Sequence, residues 1–482
     1  MHDARGGLTL HWSNPVVGIA LALVGGVAVG AVVTFASPLV GLGALLGIAA
    51  ALSMLTSAYV AVLVFVGVAT LLPFAVIPVR LGVQLTVVDA TLATGLLVML
   101  LGALHRREPL VNSPVNAPLL VFVGLAVTSF VLGTAYSITP ELVRLFLKLV
   151  NALLFFFTTI NAIRRQDQLL QIARALMLGG FAAALIALAL YVVPRDLAIR
   201  ALSALRPIGY PSGPDVLRFI AGTEVLRATG TSLDPNVLGG LLLVTTALVI
   251  TQLMSPTPLL RRSWLAVMVG AMLVAIVLTY SRSSWLGLAS AVLLLAVVRY
   301  RRTWALALAG AAVLLLAPPG EMIIDRLTSG LLAQDKAAAM RLGEYKDAFR
   351  LISEYPIFGV GFGEAPRIDL YVAVSSIYLL VAEEMGLVGL SVYLITVGTA
   401  LYHGLSALPR VADNRVKDVL VGLIVALGGA LVAGLFDHYF INHRFPHMVA
   451  LFWLYVGLVV VAVRLGAGEA KGQPAEGGGA RS

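Results

Sequence analysis

Runs of roughly 18 to 25 apolar residues recur along the whole chain, each long enough to cross about 30 Å of hydrocarbon as a helix. Inside a bilayer only helices and closed barrels satisfy their own backbone polar groups. The runs lack the two-residue alternation of barrel strands, so the expectation is an all-α, polytopic transmembrane helix bundle of about 12–14 spans. Of the residues, 60% are hydrophobic and 12% charged. A soluble domain carries about 25% charged residues, so a water-soluble core is excluded.

Spans are expected near residues 16–36, 38–55, 58–78, 84–104, 117–135, 141–160, 169–193, 236–254, 263–280, 283–299, 303–318, 372–402, 418–436 and 447–464. The first, Val16 to Ala36, has a weakly charged leader and a second run directly behind it, so it reads as an uncleaved span rather than a signal peptide. Basic residues cluster at Arg106 and Arg107, Arg164 and Arg165, Arg261 and Arg262, Arg299 with Arg301 and Arg302, and Arg410 with Arg415 and Lys417. All fall on one side, which the positive-inside rule assigns to the cytoplasm. Both termini then lie inside and two long loops, 194–235 and 319–371, lie outside. Residues 1–465 read as a single transmembrane domain, followed by a disordered cytoplasmic tail at 466–482. The chain has no cysteine, which rules out disulfides, thiolate catalysis and cysteine-held metals. Its net charge of +9 is spread over both sides with no soluble basic domain, which speaks against a nucleic-acid partner.

The first long loop carries five arginines (Arg195, Arg200, Arg206, Arg218, Arg227) and no lysine. Such usage suits forked hydrogen bonding to phosphate or carboxylate; the plainer reading is a solvated loop with local pairs such as Arg195 beside Asp196. The loop ends in Arg227-Ala228-Thr229-Gly230 and Asp234-Pro235-Asn236. Asp234 or Asn236 can cap the helix that follows. Arg282 sits in a tight turn between two spans, either as a snorkelling interfacial residue or as part of a site shared with the loops. In the second loop, residues 341–355 are amphipathic, with Leu342, Tyr345, Phe349 and Ile352 at helical spacing. Arg341 with Glu344 and Arg350 with Glu354 suit surface pairs, and Arg341 is expected at the helix start. The glycines at 359, 361 and 363 have no strand before them and read as a tight re-entry turn, not a nucleotide loop.

Ionisable residues within spans are functional candidates. Arg144 and Lys148 lie one turn apart on one helix face, with Asp89 placed to neutralise one of them. They read either as structure or as a positive floor for an anionic lipid headgroup. Glu383 and Glu384 lie about two turns into the span after the second loop. The last outer turn holds His438, His443 and His447, three of the seven histidines, at a spacing that matches no zinc motif.

Together, Arg227 to Asn236, Thr279-Tyr280-Ser281-Arg282-Ser283, Arg341 through Gly363, and Tyr378 to Gly389 resemble the O-antigen ligase and polymerase superfamily of bacterial envelope glycan assembly, over about residues 225–395. The resemblance implies a metal-independent, inverting glycosyltransferase without a cofactor. Its donor would be an undecaprenyl-pyrophosphate-linked glycan and its acceptor a saccharide or lipid, within membrane lipids. Arg227, Arg282 and Arg341 would hold the pyrophosphate, with Arg144 and Lys148 as further basic candidates. Asp234, Asn236, Ser375, Ser376 and Tyr378 would position substrate. Where the family commonly has His-Asn, this chain has Ser375-Ser376. The general base then falls to His438 backed by Asp437, or to Glu383 or Glu384, or this branch does different chemistry. His438 is favoured, an imidazole being a suitable base near neutral pH. Two other functions stay open, a transporter or flippase for an anionic or lipid-linked saccharide and a non-catalytic partner in envelope glycan assembly.

Overall fold

In a bilayer the only partner for an apolar run's backbone amides is the neighbouring turn, so these runs fold as helices, and caps and prolines set their ends. The computed structural model describes residues 38–77, 85–106, 109–133, 138–220, 222–304, 336–363 and 374–469. The expected span near 16–36 and nearly all of that near 303–318 lie outside the described residues, as does much of the second loop.

Helix α1 (Pro38–Thr56) belongs to a unit of its own, residues 1–56, and residues 57–482 form a second unit. The second contains α2 (Ala58–Leu71), α3 (Val87–Arg106), α4 (Asn116–Gly133), α5 (Pro140–Ala162), α6 (Gln166–Val192) and α7 (Arg195–Ser203). A two-stranded antiparallel hairpin follows, β1 (Arg218–Phe219) and β2 (Leu226–Arg227). Then come α8 (Pro235–Met254), α9 (Arg262–Leu278), α10 (Arg282–Val298), α11 (Lys336–Glu354), α12 (Ile377–Ala407), α13 (Asn414–Ala433) and α14 (Pro446–Glu469). Among the described residues, eight helices are long and apolar enough to cross a membrane. The protein is an all-α, polytopic helical bundle.

Burial separates centre from periphery. The spanning windows of α8 and α14 are 89% buried and that of α13 78%, whereas α3 and α6 reach 33% and α4 only 28%. The first three are the core, and the others expose leucines such as Leu97, Leu101, Leu120 and Leu178 as a lipid-facing ring. Small residues let α10 and α13 approach closely: a Cβ on Gly287 would lie 2.7 Å from Gly429 O, and one on Gly429 would lie 2.5 Å from Gly287 O. At one end of this pair the buried Asp418 accepts from Ser255 Oγ (2.6 Å), Arg299 Nε (2.6 Å) and Tyr300 Oη (2.7 Å), tying α8, α10 and α13 together. At the same end of the bundle Arg464 donates to Ile160 O (2.8 Å) and Ile163 O, neutralising the carbonyl end of α5. The described parts of the long loops and the functional candidates lie at the opposite end.

Several local expectations are corrected. The run at 58–78 is helical only to Leu71, because Pro73 disfavours helical geometry at Leu72, which turns out at φ −142°. Helix α11 starts at Lys336, so Arg341 stands in its second turn rather than at its start. Residues 466–469, assigned to the tail, extend α14, and the rest of the tail lies outside the described residues. Arg195 pairs with Glu224 (3.4 Å), not Asp196, because the hairpin turns Glu224 back over α7. Arg350 does pair with Glu354 (3.1 Å).

Candidate functional site

The end of the bundle that carries the long loops is organised around the turn between α9 and α10. Thr279 and Ser281 are buried there, and Tyr280 takes a left-handed φ of 52°. From one side, Arg227 at the end of β2 donates through Nε to Thr279 O (2.7 Å) and through Nη2 to Asn236 Oδ1 (2.8 Å), while Ala228 N bonds Leu278 O (2.8 Å). Asp234 caps α8: its Oδ1 accepts from Asn236 N (2.7 Å) and Val237 N (3.1 Å). Arg282 opens α10 immediately after this turn, partly buried.

From the other side, the turn between α13 and α14 presents Asp437, whose Oδ2 accepts from Ser283 Oγ at 3.3 Å. Arg341 Nη2 reaches the same oxygen at 3.8 Å from α11, and His438 Nδ1 lies 3.3 Å from Oδ1. A buried carboxylate is costly unless paired and hydrogen-bonded. Here burial raises the Asp437 pKa, but the bond and charge of His438 and the Arg341 guanidinium outweigh it, so the carboxyl is held below its ordinary range. Arg341 therefore pairs with Asp437 and not with Glu344, which accepts instead from Ser375 N at 3.0 Å. One turn along α11, the Tyr345 hydroxyl lies 3.1 Å from Leu435 O and 3.2 Å from Ser375 O. Burial raises its pKa, against the opposing charge of Arg341.

Residues 374–378 are thus held against α11 beside Arg341, and Tyr378 Oη donates to Leu431 O (2.8 Å) on α13. Ser376 is buried and precedes α12. The serine pair occupies a position one helical turn from Arg341, and the imidazole of this neighbourhood arrives from the α13–α14 turn.

The structure brings Arg227, the Arg282 turn, Arg341, Asp437 and His438 into one connected network. Asp234, Asn236 and Ser375 contact this network directly, whereas Glu384, Arg144 and Lys148 make their contacts elsewhere. Glu384 Oε1 faces His443 Nδ1 at 3.6 Å, close to a break in α12 where Gly386 has φ 71° and ψ −178°. The loop 356–363 fills that break: Val360 N donates to Glu383 O (2.8 Å), Gly361 N to Glu384 O (3.0 Å), and Leu387 N to Pro356 O (2.8 Å). Arg144 pairs with Glu141, and Lys148 with the buried Asp89 at 2.7 Å. Asp89 also forms a capping box with Thr86, each accepting from the other's amide at 3.1 Å. Ser283, Glu344, Tyr345 and His443 were not singled out as site residues from sequence. Ser283, Glu344 and Tyr345 nevertheless lie inside segments that carry the family resemblance, and His443 lies in the histidine-bearing last turn.

Fold and site together define a polytopic helical membrane protein with a basic, acid–base-equipped end. Residues 266–394 match the family model described as O-antigen ligase, which supports the likeness of this stretch to the O-antigen ligase and polymerase superfamily. The match supports a membrane glycan-processing function of that type. It includes Arg282, Arg341, Ser375, Ser376, Tyr378 and Glu384, and leaves Arg227, Asp234, Asn236, Asp437 and His438 outside. No curated protein matches the chain.

Proposed function

We propose that this protein is an inverting, metal-independent membrane glycosyltransferase that moves a glycan from an undecaprenyl-pyrophosphate-linked donor to an acceptor hydroxyl, as a polysaccharide ligase or polymerase. The observation that carries this reading is the linked set Arg227, Thr279, Ser283, Asp437, Arg341 and His438. It joins basic side chains to a carboxylate-oriented imidazole at one end of the bundle. That end faces the extracytoplasmic side of a prokaryotic plasma membrane, opposite the basic clusters.

In the proposed step the acceptor oxygen attacks the anomeric carbon from the face opposite the pyrophosphate. As that bond forms, the bond from carbon to pyrophosphate oxygen breaks and its electron pair leaves with the diphosphate. Arg227, Arg282 and Arg341 stabilise that growing charge. The hydroxyl proton passes to His438. With Nδ1 turned to Asp437, Nε2 is the nitrogen that takes it, and Asp437 steadies the resulting imidazolium.

Transport is the second reading, favoured by the break in α12, since transporters bind ions at interrupted helices. The break here is filled by the chain's own loop, which uses the carbonyls of Glu383 and Glu384.

The test supplies purified protein in lipid with an undecaprenyl-pyrophosphate-linked glycan and measures chain extension or transfer. His438→Ala is expected to lower kcat by about 10²–10⁴-fold with donor binding retained. Arg227→Ala and Arg341→Ala are expected to weaken donor turnover. No transfer to any of several acceptors, with the lipid still bound, would sink the catalytic reading; full activity in both arginine variants would remove the pyrophosphate assignment.

A further inference from the structure

The hairpin of the first long loop pairs Arg218 directly with Arg227 across its two strands. Residues directly opposite in an antiparallel pair share a face, with Cβ atoms about 4.5–5.5 Å apart, and like charges in that arrangement repel. A hairpin has many less costly residues to place there. The other cross-strand pair, Phe219 with Leu226, is apolar, and the Arg195 guanidinium covers the Phe219 ring at 5.1 Å. The hairpin therefore has one face packed on α7 and one face with two guanidiniums.

The arginine face is aimed at one place. Arg218 Nε donates to Leu233 O at 3.3 Å, and Arg227 Nη2 reaches Asn236 Oδ1 at 2.8 Å, so both side chains flank the Leu233–Asn236 segment. Leu233 itself has a left-handed φ of 57°, a conformation that a bulky residue rarely takes. It turns the Leu233 carbonyl toward Arg218. The carboxylate in this segment, Asp234, spends Oδ1 on two backbone amides. Among the described residues, no carboxylate forms an ion pair with Arg218, whose side chain is exposed.

We infer that Arg218 is a further donor-binding residue, forming with Arg227 a two-arginine clamp for the pyrophosphate of the lipid-linked donor. The inference rests on the proposed glycosyltransferase reading. Two guanidiniums on one strand-pair face supply planar, multiply donating groups, which suit a diphosphate's adjacent oxygens better than two ammonium groups would. Arg218 binds in this scheme and takes no part in proton transfer.

The experiment uses the full chain in lipid, with inorganic pyrophosphate as the binding probe and the lipid-pyrophosphate glycan as substrate. Arg218→Ala is expected to weaken pyrophosphate binding by about 10–100-fold, the equivalent of one charge-assisted hydrogen-bonding group. It should raise KM for the donor while kcat changes little, and Arg218→Lys should recover part of the loss. Arg200→Ala, which removes a charge from the same loop, should bind pyrophosphate like the wild type. Unchanged binding in Arg218→Ala alongside weakened binding in Arg227→Ala would overturn the clamp and leave the donor site standing. Lower thermal stability and kcat with unaltered pyrophosphate affinity would make Arg218 a loop brace and also overturn it. Equal weakening by Arg200→Ala would reduce the effect to net charge. Unaltered binding in both Arg218→Ala and Arg227→Ala would remove the pyrophosphate site itself.

Discussion

Asp437 is a buried carboxylate that survives in charged form because three neighbours compensate it: Ser283, His438 and Arg341. Its lowered pKa makes it a source of stability with a defined pH window. A carboxyl depressed in the folded state stabilises above its unfolded pKa, about 3.9, and that contribution is lost as pH falls through the folded value. The stability difference between wild type and Asp437→Asn should therefore be present at pH 7 and should narrow below about pH 4. Thermal unfolding across that range measures it, and a gap that stayed constant into acid would mean that the charge of Asp437 is not what stabilises. The Asp437–His438 pair was legible in the sequence because ionisable residues are rare in this chain and adjacent ones in a short turn stand out. Ser283 was harder to read. A serine near a helix start looks like any cap, and its carboxylate partner is 154 residues away.

At the scale of elements, the loop 356–363 and the broken helix α12 form one construction. Gly361 has φ 84°, and a Cβ there would lie 2.5 Å from Gly133 Cα, against the backbone end of α4. A Cβ on Gly386 would lie 2.1 Å from Ile357 O. Glycine is required at both positions, once for handedness and once for contact. Gly361→Ala should cost about 2–6 kcal/mol from strain and overpacking combined. It should also loosen α12, which carries Tyr378 and follows the serine pair. The expected outcome is a lower unfolding temperature together with reduced transfer activity; a variant as stable as wild type would show that the close approach to α4 does not constrain the loop. Sequence indicated a turn from the alternating glycines but could not supply the partner, because the opposing backbone of Gly133 lies far away along the chain. It also gave no sign of the hairpin at 218–227, since two-residue strands have no periodicity to detect.

For the whole molecule, hydrophobic run length was enough to give the class, because a bilayer admits so few backbone solutions. It did not distinguish the helices of the centre from those of the rim. Helices α8 and α14 are apolar on every side, as are several lipid-facing ones, and only packing separates them. The two ends of the bundle differ in chemistry. One is pinned by Asp418, Arg299 and Arg464, and the other gathers Arg227, Arg341 and His438. If the basic clusters mark the cytoplasm, the second end faces outward, where a lipid-linked glycan would meet its acceptor. The absence of cysteine makes this directly measurable, because any introduced thiol is the only one in the chain. Ser212 is exposed in the first long loop, and Ala412 is exposed in the turn between α12 and α13. A membrane-impermeant maleimide should label Ser212→Cys in intact cells, and should label Ala412→Cys only after the membrane is opened. Labelling in the reverse order would put the arginine network on the cytoplasmic side, and the assignment of an extracytoplasmic transfer site would fall with it.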